Sequence, residues 1–268
     1  MSYFTDKVVV VTGGSDGIGK ALVDALLQQG AKVATCARNY DKLYRLKTNY
    51  PDKPFFVYTT DVSKEAECQN FIQETVAMFG TIDILINNAG ISMRALFEET
   101  SLDTLRSVMD INFWGTVYCT KYALPYIIQQ KGTVVAISSV AGYRGLPGRT
   151  GYNASKFAMQ GFMESLRTEM LDTGVNIMWV CPGFTASNIR NAALTKDAKP
   201  QGFTTLDEAS LMSAEECATL TLKAIEGKKR TLVYTLADKR TIMLNKLFPA
   251  LADKLVHNFF YKNGELVK

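Results

Sequence analysis

Histidine is almost missing from this 268-residue chain, with His257 the only one. A Ser-His-Asp relay and a multi-histidine metal centre are therefore nearly excluded, because the first would have to use this one imidazole and the second needs several. His257 itself, near the C-terminal end, reads as a surface or helix residue. Cysteine is sparse and unpatterned: Cys36, Cys68, Cys119, Cys181 and Cys217 form no CxxC pair. An odd, scattered set reads as buried free thiols in a reducing compartment, and no metal is expected. No apolar run approaches the roughly 18 residues needed to cross a bilayer. The first strand starts near Lys7, which leaves no room for a signal peptide before it. The expected location is cytoplasmic, at most peripheral to a membrane. An excess of one charge is lacking as well. The 30 Lys and Arg against 26 Asp and Glu give a net +4, too even a balance for a nucleic-acid-binding chain.

What is present is an ordinary globular composition, 47% hydrophobic and 21% charged. The length suits one α/β domain, expected to take in all of 1–268. β-Branched runs recur at Lys7–Thr12, Lys32–Ala37, Pro54–Thr60, Ile82–Asn87, Thr133–Ser138, Asn176–Cys181 and Arg230–Thr235. Between them lie helical patterns. One covers Ile18–Gln29. Another runs from Lys64 to Phe79, capped by Ser63 and stopped by Gly80. Two long helices are expected from Ser101 to Gln129 and from Tyr152 to Asp172, and a capped one begins at Ser213. This alternation predicts a doubly wound, parallel, seven-stranded sheet with helices on both faces and ligands at the carboxyl ends of the strands. One long irregular stretch, 184–211, is expected to be a substrate lid.

The chemistry-bearing residues lie between these elements. Thr12-Gly13-Gly14-Ser15-Asp16-Gly17-Ile18-Gly19 joins the first strand to the first helix. Its glycines leave room for close backbone approach, and the N–H groups and dipole of the helix start attract a pyrophosphate. The second strand ends Cys36-Ala37-Arg38-Asn39, with no acid where a ribose hydroxyl would be bound. Arg38 favours a 2′-phosphate and hence NADP(H), although Asp16 leaves NAD(H) open. Tyr152 and Lys156 stand four apart on one helix face, where a nearby ammonium is expected to lower the tyrosine pKa from about 10 and prepare it for proton exchange. Ser139 precedes Tyr152 by 152 − 139 = 13 residues and is placed to hold a substrate oxygen.

These motifs, in this order over about Lys7–Thr235, resemble the short-chain dehydrogenase/reductase family, a Rossmann-type fold. The resemblance implies hydride transfer between a nicotinamide and a ketone or secondary alcohol without a metal. It assigns catalysis to Ser139, Tyr152, Lys156 and Asn112, the last shaping the long helix and holding a proton-relaying water. Asp61 and Val62 match the family's adenine-contacting pair. Asn88, Ala89 and Gly90, after Asn87, match the motif that lines the cofactor cleft. Pro182 and Gly183 match the pair beside the nicotinamide, with Thr185 or Ser187 on its carboxamide and Lys156 on its ribose. Ser15, Ile18 and Asn39 complete the expected cofactor set. A homodimer or homotetramer through the two long helices is implied.

The substrate is less legible. Met93, Leu96, Phe97, Tyr143, Leu146, Phe184, Ile189, Phe203 and Leu206 stand in the expected substrate loops and suggest an apolar or lipid-like ketone. Arg94, Arg144 and Arg149 are available for a carboxylate or phosphate, or are simply solvated. The extension 237–268 places Leu251, Leu255, Val256 and Phe259 on one helical stripe and carries six basic against two acidic residues from Lys239 onward. It resembles steroid-dehydrogenase-like and 3-ketosphinganine-reductase-like members. Its stripe has two readings, packing on protein or lying on a membrane surface. A 3-oxoacyl or small-carbonyl reductase and a non-catalytic nucleotide sensor on the same fold are the alternatives.

Overall fold

The computed structural model describes residues 1–204, 207 and 211–267. Its strands are the apolar runs: β1 (Val8–Thr12), β2 (Lys32–Ala37), β3 (Phe55–Thr59), β4 (Ile84–Asn87), β5 (Thr133–Ile137), β6 (Asn176–Cys181) and β7 (Thr231–Val233). All seven pair in parallel in the order β3-β2-β1-β4-β5-β6-β7. Strands β1, β4 and β5 are buried along their whole length, as a sheet covered on both faces requires. Helices α1 (Gly17–Gln28), α2 (Tyr40–Thr48) and α7 (Ala214–Glu226) cover one face, over Val9, Val11, Leu22, Leu26, Leu46 and Leu222. Helices α3 (Glu65–Phe79), α5 (Gly115–Gln130) and α6 (Thr150–Glu169) cover the other, over Val10, Phe71, Leu85, Ile127 and Met163. Each such fully buried aliphatic or aromatic side chain contributes about 1.5–3 kcal/mol.

Four features depart from the sequence reading. Helix α2 was not expected: its face is mostly charged, and only Leu43 and Leu46 are buried. Ser63 does not cap α3. Its N–H and hydroxyl both donate to the Asp61 carboxylate, the chain enters the helix after Lys64, and Glu67 reaches back to accept from the Asp61 N–H. The long helix expected from Ser101 is split into α4 (Leu102–Met109) and α5 by a wide π-turn at Asp110–Trp114. At its centre Asn112 is fully buried, and its carbonyl accepts from the Thr116 hydroxyl at 2.9 Å. Such a single π-turn recurs at functional sites. The last strand is shorter than expected because Thr235 leaves it to cap α8 (Leu236–Leu247).

The C-terminal segment is a pair of helices, α8 and α9 (Pro249–Phe260), followed by a small hairpin, β8 (Tyr261–Lys262) with β9 (Glu265–Leu266). It folds back across the carboxyl ends of the strands. Arg144, in the loop after β5, donates to Asn245 of α8 at 2.8 Å and to Asp253 of α9 at 2.7 Å. Arg94, after β4, donates to the Leu266 carbonyl at 3.0 Å. The strand order reverses between β1 and β4, and at that point the chain diverges and leaves a crevice.

Candidate active site

One cavity of about 900 Å³ occupies the crevice and runs from the α1 N-terminus to the roof formed by α8 and α9. At one end lies the glycine turn. Gly13 has φ +70°, and a Cβ there would stand 2.9 Å from the Ala89 Cα; one at Gly19 would stand 2.2 Å from the Gly13 carbonyl oxygen. The turn is held by Thr12, whose hydroxyl accepts the N–H groups of Asn88 and Ala89 at 3.0 Å each, and by the Asn88 amide, which donates to the Thr12 and Gly13 carbonyls. Gly13, Ser15, Asp16, Gly17, Ile18 and Gly19 all border the cavity. This glycine backbone at a helix start, with the Asp16 carboxylate accepting from the Gly17 N–H at 2.8 Å and Ser187 packed near Gly17, fits a dinucleotide pyrophosphate.

The other cofactor residues expected from the sequence border the same cavity: Arg38, Asn39, Asp61, Val62, Asn88, Ala89, Gly90, Pro182, Gly183 and Thr185. Several also have structural duties. Asn39 caps α2 by accepting from the Lys42 N–H at 2.9 Å. Val62 packs under Gly115. Thr185 is buried, with its hydroxyl 3.4 Å from the Cys217 sulfur, and Ser187 borders the cavity nearby. Sequence reasoning missed Lys42. It lines the cavity beside Arg38 and places its Nζ 2.6 Å from the Asp16 carboxylate. The signal was present as a lysine four residues beyond Arg38, but it becomes meaningful only once α2 is recognised as a helix.

At the cavity floor Tyr152 and Lys156 lie on α6, and Ser139 follows β5. The Ser139 hydroxyl accepts from the Ala141 N–H at 3.1 Å and donates to the Pro182 carbonyl at 3.4 Å, and it lies close enough to the Tyr152 phenol to influence its ionisation. Lys156 is buried. Its ammonium donates to the Ile137 carbonyl at 2.8 Å and lies 5.7 Å from the Tyr152 ring centroid. The expectation of a lowered tyrosine pKa is corrected here. Burial pushes the Tyr152 phenol up, while the Ser139 hydrogen bond and the Arg149 charge pull the other way without prevailing. Burial also pushes Lys156 down, to about 8. Asn112 does not reach Tyr152 or Lys156 with its side chain. Its amide is fully engaged, accepting from the Ile91 N–H at 2.8 Å and donating to the Ile91 carbonyl and the Ser155 hydroxyl at 2.9 Å. It ties the loop after β4 to α6 and so positions that helix. Gln160, also unforeseen, donates to Ser138 at 2.9 Å and steadies the end of β5. Among the described residues no cluster of three or more His, Cys, Asp or Glu could hold a metal ion.

At the far end the expected lining is partly revised. Leu146, Phe184 and Ile189 border the cavity. Met93 instead lies in a small core with Val108 and Tyr152, Tyr143 hydrogen-bonds Trp179, and Phe97 and Phe203 face solvent. Leu206 lies outside the described residues. The roof supplies the rest: Leu244 from α8, and Leu255, Val256, Phe259 and Phe260 from α9. Of the stripe read from the tail, Leu255, Val256 and Phe259 border this cavity, and Leu251 faces solvent.

Comparison with known proteins agrees with this geometry. The family model for short chain dehydrogenases matches residues 7–198. Dehydrogenase/reductase SDR family member 7B of Mus musculus is 34% identical over 93% of this chain and 80% of its own length. An 11-beta-hydroxysteroid dehydrogenase-like protein, 4A of Arabidopsis thaliana, is 37% identical over 82% of this chain and 73% of its own. In fold, a short chain dehydrogenase/reductase from Burkholderia phymatum in complex with NAD superposes with a TM-score of 0.84 at 24% identity, over 94% of this chain and 96% of that one. An alcohol dehydrogenase from Thermococcus sibiricus with 5-hydroxy-NADP gives 0.74 at 24% identity, over 85% and 95%.

Lys156 generates a pH-dependent stability difference. Its folded value near 8 lies below the unfolded 10.5, so burial of the charged amine opposes folding below pH 8. That cost disappears as pH rises towards 10.5. Relative to wild type, Lys156→Met should be about 2 kcal/mol better placed at pH 7 than at pH 10. Denaturant unfolding of both proteins at the two pH values measures this. A difference that does not change with pH would show that the amine is not titrating in this range.

Proposed function

The chain belongs to the short-chain dehydrogenase family, and on that premise we propose that it is an NADP(H)-dependent oxidoreductase acting on a lipid-like ketone or secondary alcohol. The carrying observation is that a single cavity joins the glycine turn at α1 to Ser139, Tyr152 and Lys156. When bound, a nicotinamide supplies or accepts the hydride. The residues of the chain do the rest. In the reductive direction Tyr152 donates its phenolic proton to the substrate oxygen, and Ser139 holds that oxygen in place. The Lys156 ammonium beside the ring supports the phenolate left behind. Asn112 keeps the loop and α6 in register.

The preference for NADP(H) rests on charge. Arg38 and Lys42 both line the ribose end of the cavity, and Lys42 offsets Asp16. The excess charge is positive, which suits a 2′-phosphate. The lipid-like substrate rests on the apolar roof. On α8, α9 and the turn between them Met243, Leu247, Phe248, Leu251, Leu255 and Phe259 are exposed, interspersed with basic residues such as Arg240, Lys246 and Lys254. A cluster of this kind suits contact with an anionic membrane from which a substrate enters; a short 3-oxoacyl or small carbonyl substrate has no need of it. No described helix is long and apolar enough to cross a bilayer. A homodimer through α5 and α6 would cover Trp114 and Phe157, 42% and 47% exposed.

Three outcomes follow. Tyr152→Phe should lower ketone reduction by roughly a hundred- to ten-thousandfold while NADPH still binds; unchanged turnover overturns the assignment. Arg38→Ala should weaken NADPH roughly ten- to a hundredfold and leave NADH nearly untouched, as read from nucleotide fluorescence; tighter NADH binding by the wild type would reverse the cofactor preference. In sedimentation with phosphatidylserine vesicles the wild type should pellet, and the Leu247→Glu, Leu251→Glu double variant should stay in solution. Equal recovery of the two in the supernatant ends the membrane reading.

A further inference from the structure

The four arginines around the substrate end of the cavity differ in how they are used. Arg144 is held by Asn245 and Asp253. Arg94 donates to the Leu266 carbonyl. Arg190, only 7% exposed, donates to the Thr185 carbonyl at 2.8 Å and to the Thr204 hydroxyl at 3.2 Å. Arg149 has no such acceptor. Among the described residues its guanidinium makes no hydrogen bond and no ion pair, and its Nε is buried without a partner. Its neighbours are two aromatic rings, Phe184 of the segment after β6 and Phe260 of α9, with centroids 5.7 and 6.0 Å from Cζ.

Burial disfavours the Arg149 charge most; Arg190 and Arg94 add to that effect, and the Tyr152 phenol opposes it. Arg149 and Arg190 border both the main cavity and a small adjoining pocket lined by Ser92, Arg94 and Gln201. A guanidinium presents five donors in a fixed fork that suits carboxylates and phosphates. Leaving such a group partly buried and unpaired is costly, and an arriving anion removes the cost. The site lies on the Tyr152 side of the cavity, since the Arg149 charge reaches the Tyr152 phenol. It opens α6 three residues ahead of Tyr152, and it is remote in the chain from Arg38 and Lys42 at the nucleotide end.

We propose that Arg149, set between Phe184 and Phe260 beside Arg190, is the anchor for an anionic group on the substrate, a carboxylate or a phosphate monoester carried by a long apolar ketone. This rests on the oxidoreductase reading above and narrows its substrate class. The aromatic rings and the α9 stripe take the chain, Arg149 takes the charge, and the carbonyl between them is brought to Ser139 and Tyr152.

The test compares paired ketones in wild type, Arg149→Met and Arg149→Lys. One pair is a long-chain γ-keto carboxylate and its methyl ester. The other is the phosphate monoester of a long-chain hydroxyketone and the free hydroxyketone. The wild type should favour the charged member by roughly ten- to a hundredfold in kcat/KM, chiefly through KM. Whichever pair shows the larger ratio identifies the anion. That ratio should collapse towards one in Arg149→Met and return in part in Arg149→Lys. NADPH fluorescence reports that each variant is folded. A ratio near one in the wild type, or one that survives in Arg149→Met, overturns the inference. A readout without turnover separates it from the enzymatic reading. Palmitate and hexadecyl phosphate, compared with hexadecanol, are titrated against the NADPH-loaded protein. Loss of anion binding in Arg149→Met with no ketone turned over by any form would uphold the anchor while removing the reductase reading. Equal anion binding by wild type and Arg149→Met would remove the anchor alone.

Discussion

Parallel pairing obliges each strand to return through a crossover, so all seven strands of this sheet end on the same side, and everything of chemical interest depends on that. The glycine turn follows β1, Arg38 follows β2, Asp61 follows β3, Asn88 follows β4, Ser139 follows β5 and Pro182 follows β6. Residues far apart in the chain thereby meet along one edge. The reversal of strand order between β1 and β4 opens the crevice, and the Thr12–Asn88 hydrogen bonds hold its two lips together. Tyr152 and Lys156 come from α6 because that helix crosses back over β5 and β6. The Asn112 amide fixes its distance from the loop after β4.

The reach of the sequence follows from how local each determinant is. Strand and helix alternation was legible because burial on both faces makes β1, β4 and β5 uninterrupted apolar runs. The residues that gather around the cavity were legible because their spacing along single elements, Tyr152 to Lys156 on α6 or Gly13 to Gly19 around one turn, survives without knowledge of tertiary contacts. Helix α2 was not, because it contributes only Leu43 and Leu46 to the core and its remaining face is solvated; with it went the role of Lys42. The π-turn at Asn112 was also hidden. A helix register is shifted there by hydrogen bonds to Ile91, twenty-one residues earlier in the chain.

The tail shows the same limit from the other side. Its apolar stripe was plain in the sequence, but a stripe does not name its partner. The partner is supplied by Arg144 and Arg94, long side chains from the loops after β5 and β4 that reach up to Asn245, Asp253 and Leu266. Those contacts place α9 over the cavity rather than against a second sheet face. The direction of the Tyr152 shift was misjudged for a related reason. A neighbouring lysine suggests a stabilised phenolate, whereas the degree of burial, which sequence does not reveal, decides the balance.

Burial and charge together give the cavity its character. The acidic groups that border it are each engaged by the protein: Asp16 by Lys42 and the Gly17 N–H, Asp61 by Ser63, and Asp238 by the Thr235 hydroxyl. The cations Arg38, Arg149 and Lys156 have no carboxylate of their own within ion-pair distance among the described residues. Within the cavity the buried Lys156 ammonium is held by the Ile137 carbonyl, and the Arg149 guanidinium lies against the Phe184 and Phe260 rings. Burying a cation without an anion costs stability, and an anion that binds beside it offsets that cost, so ligand affinity and folded stability are linked. Burial makes the two ends of the cavity unlike: Arg38 is exposed and its charge is hydrated, whereas Lys156 is buried and Arg149 half-buried, so a negative charge gains more beside the latter pair.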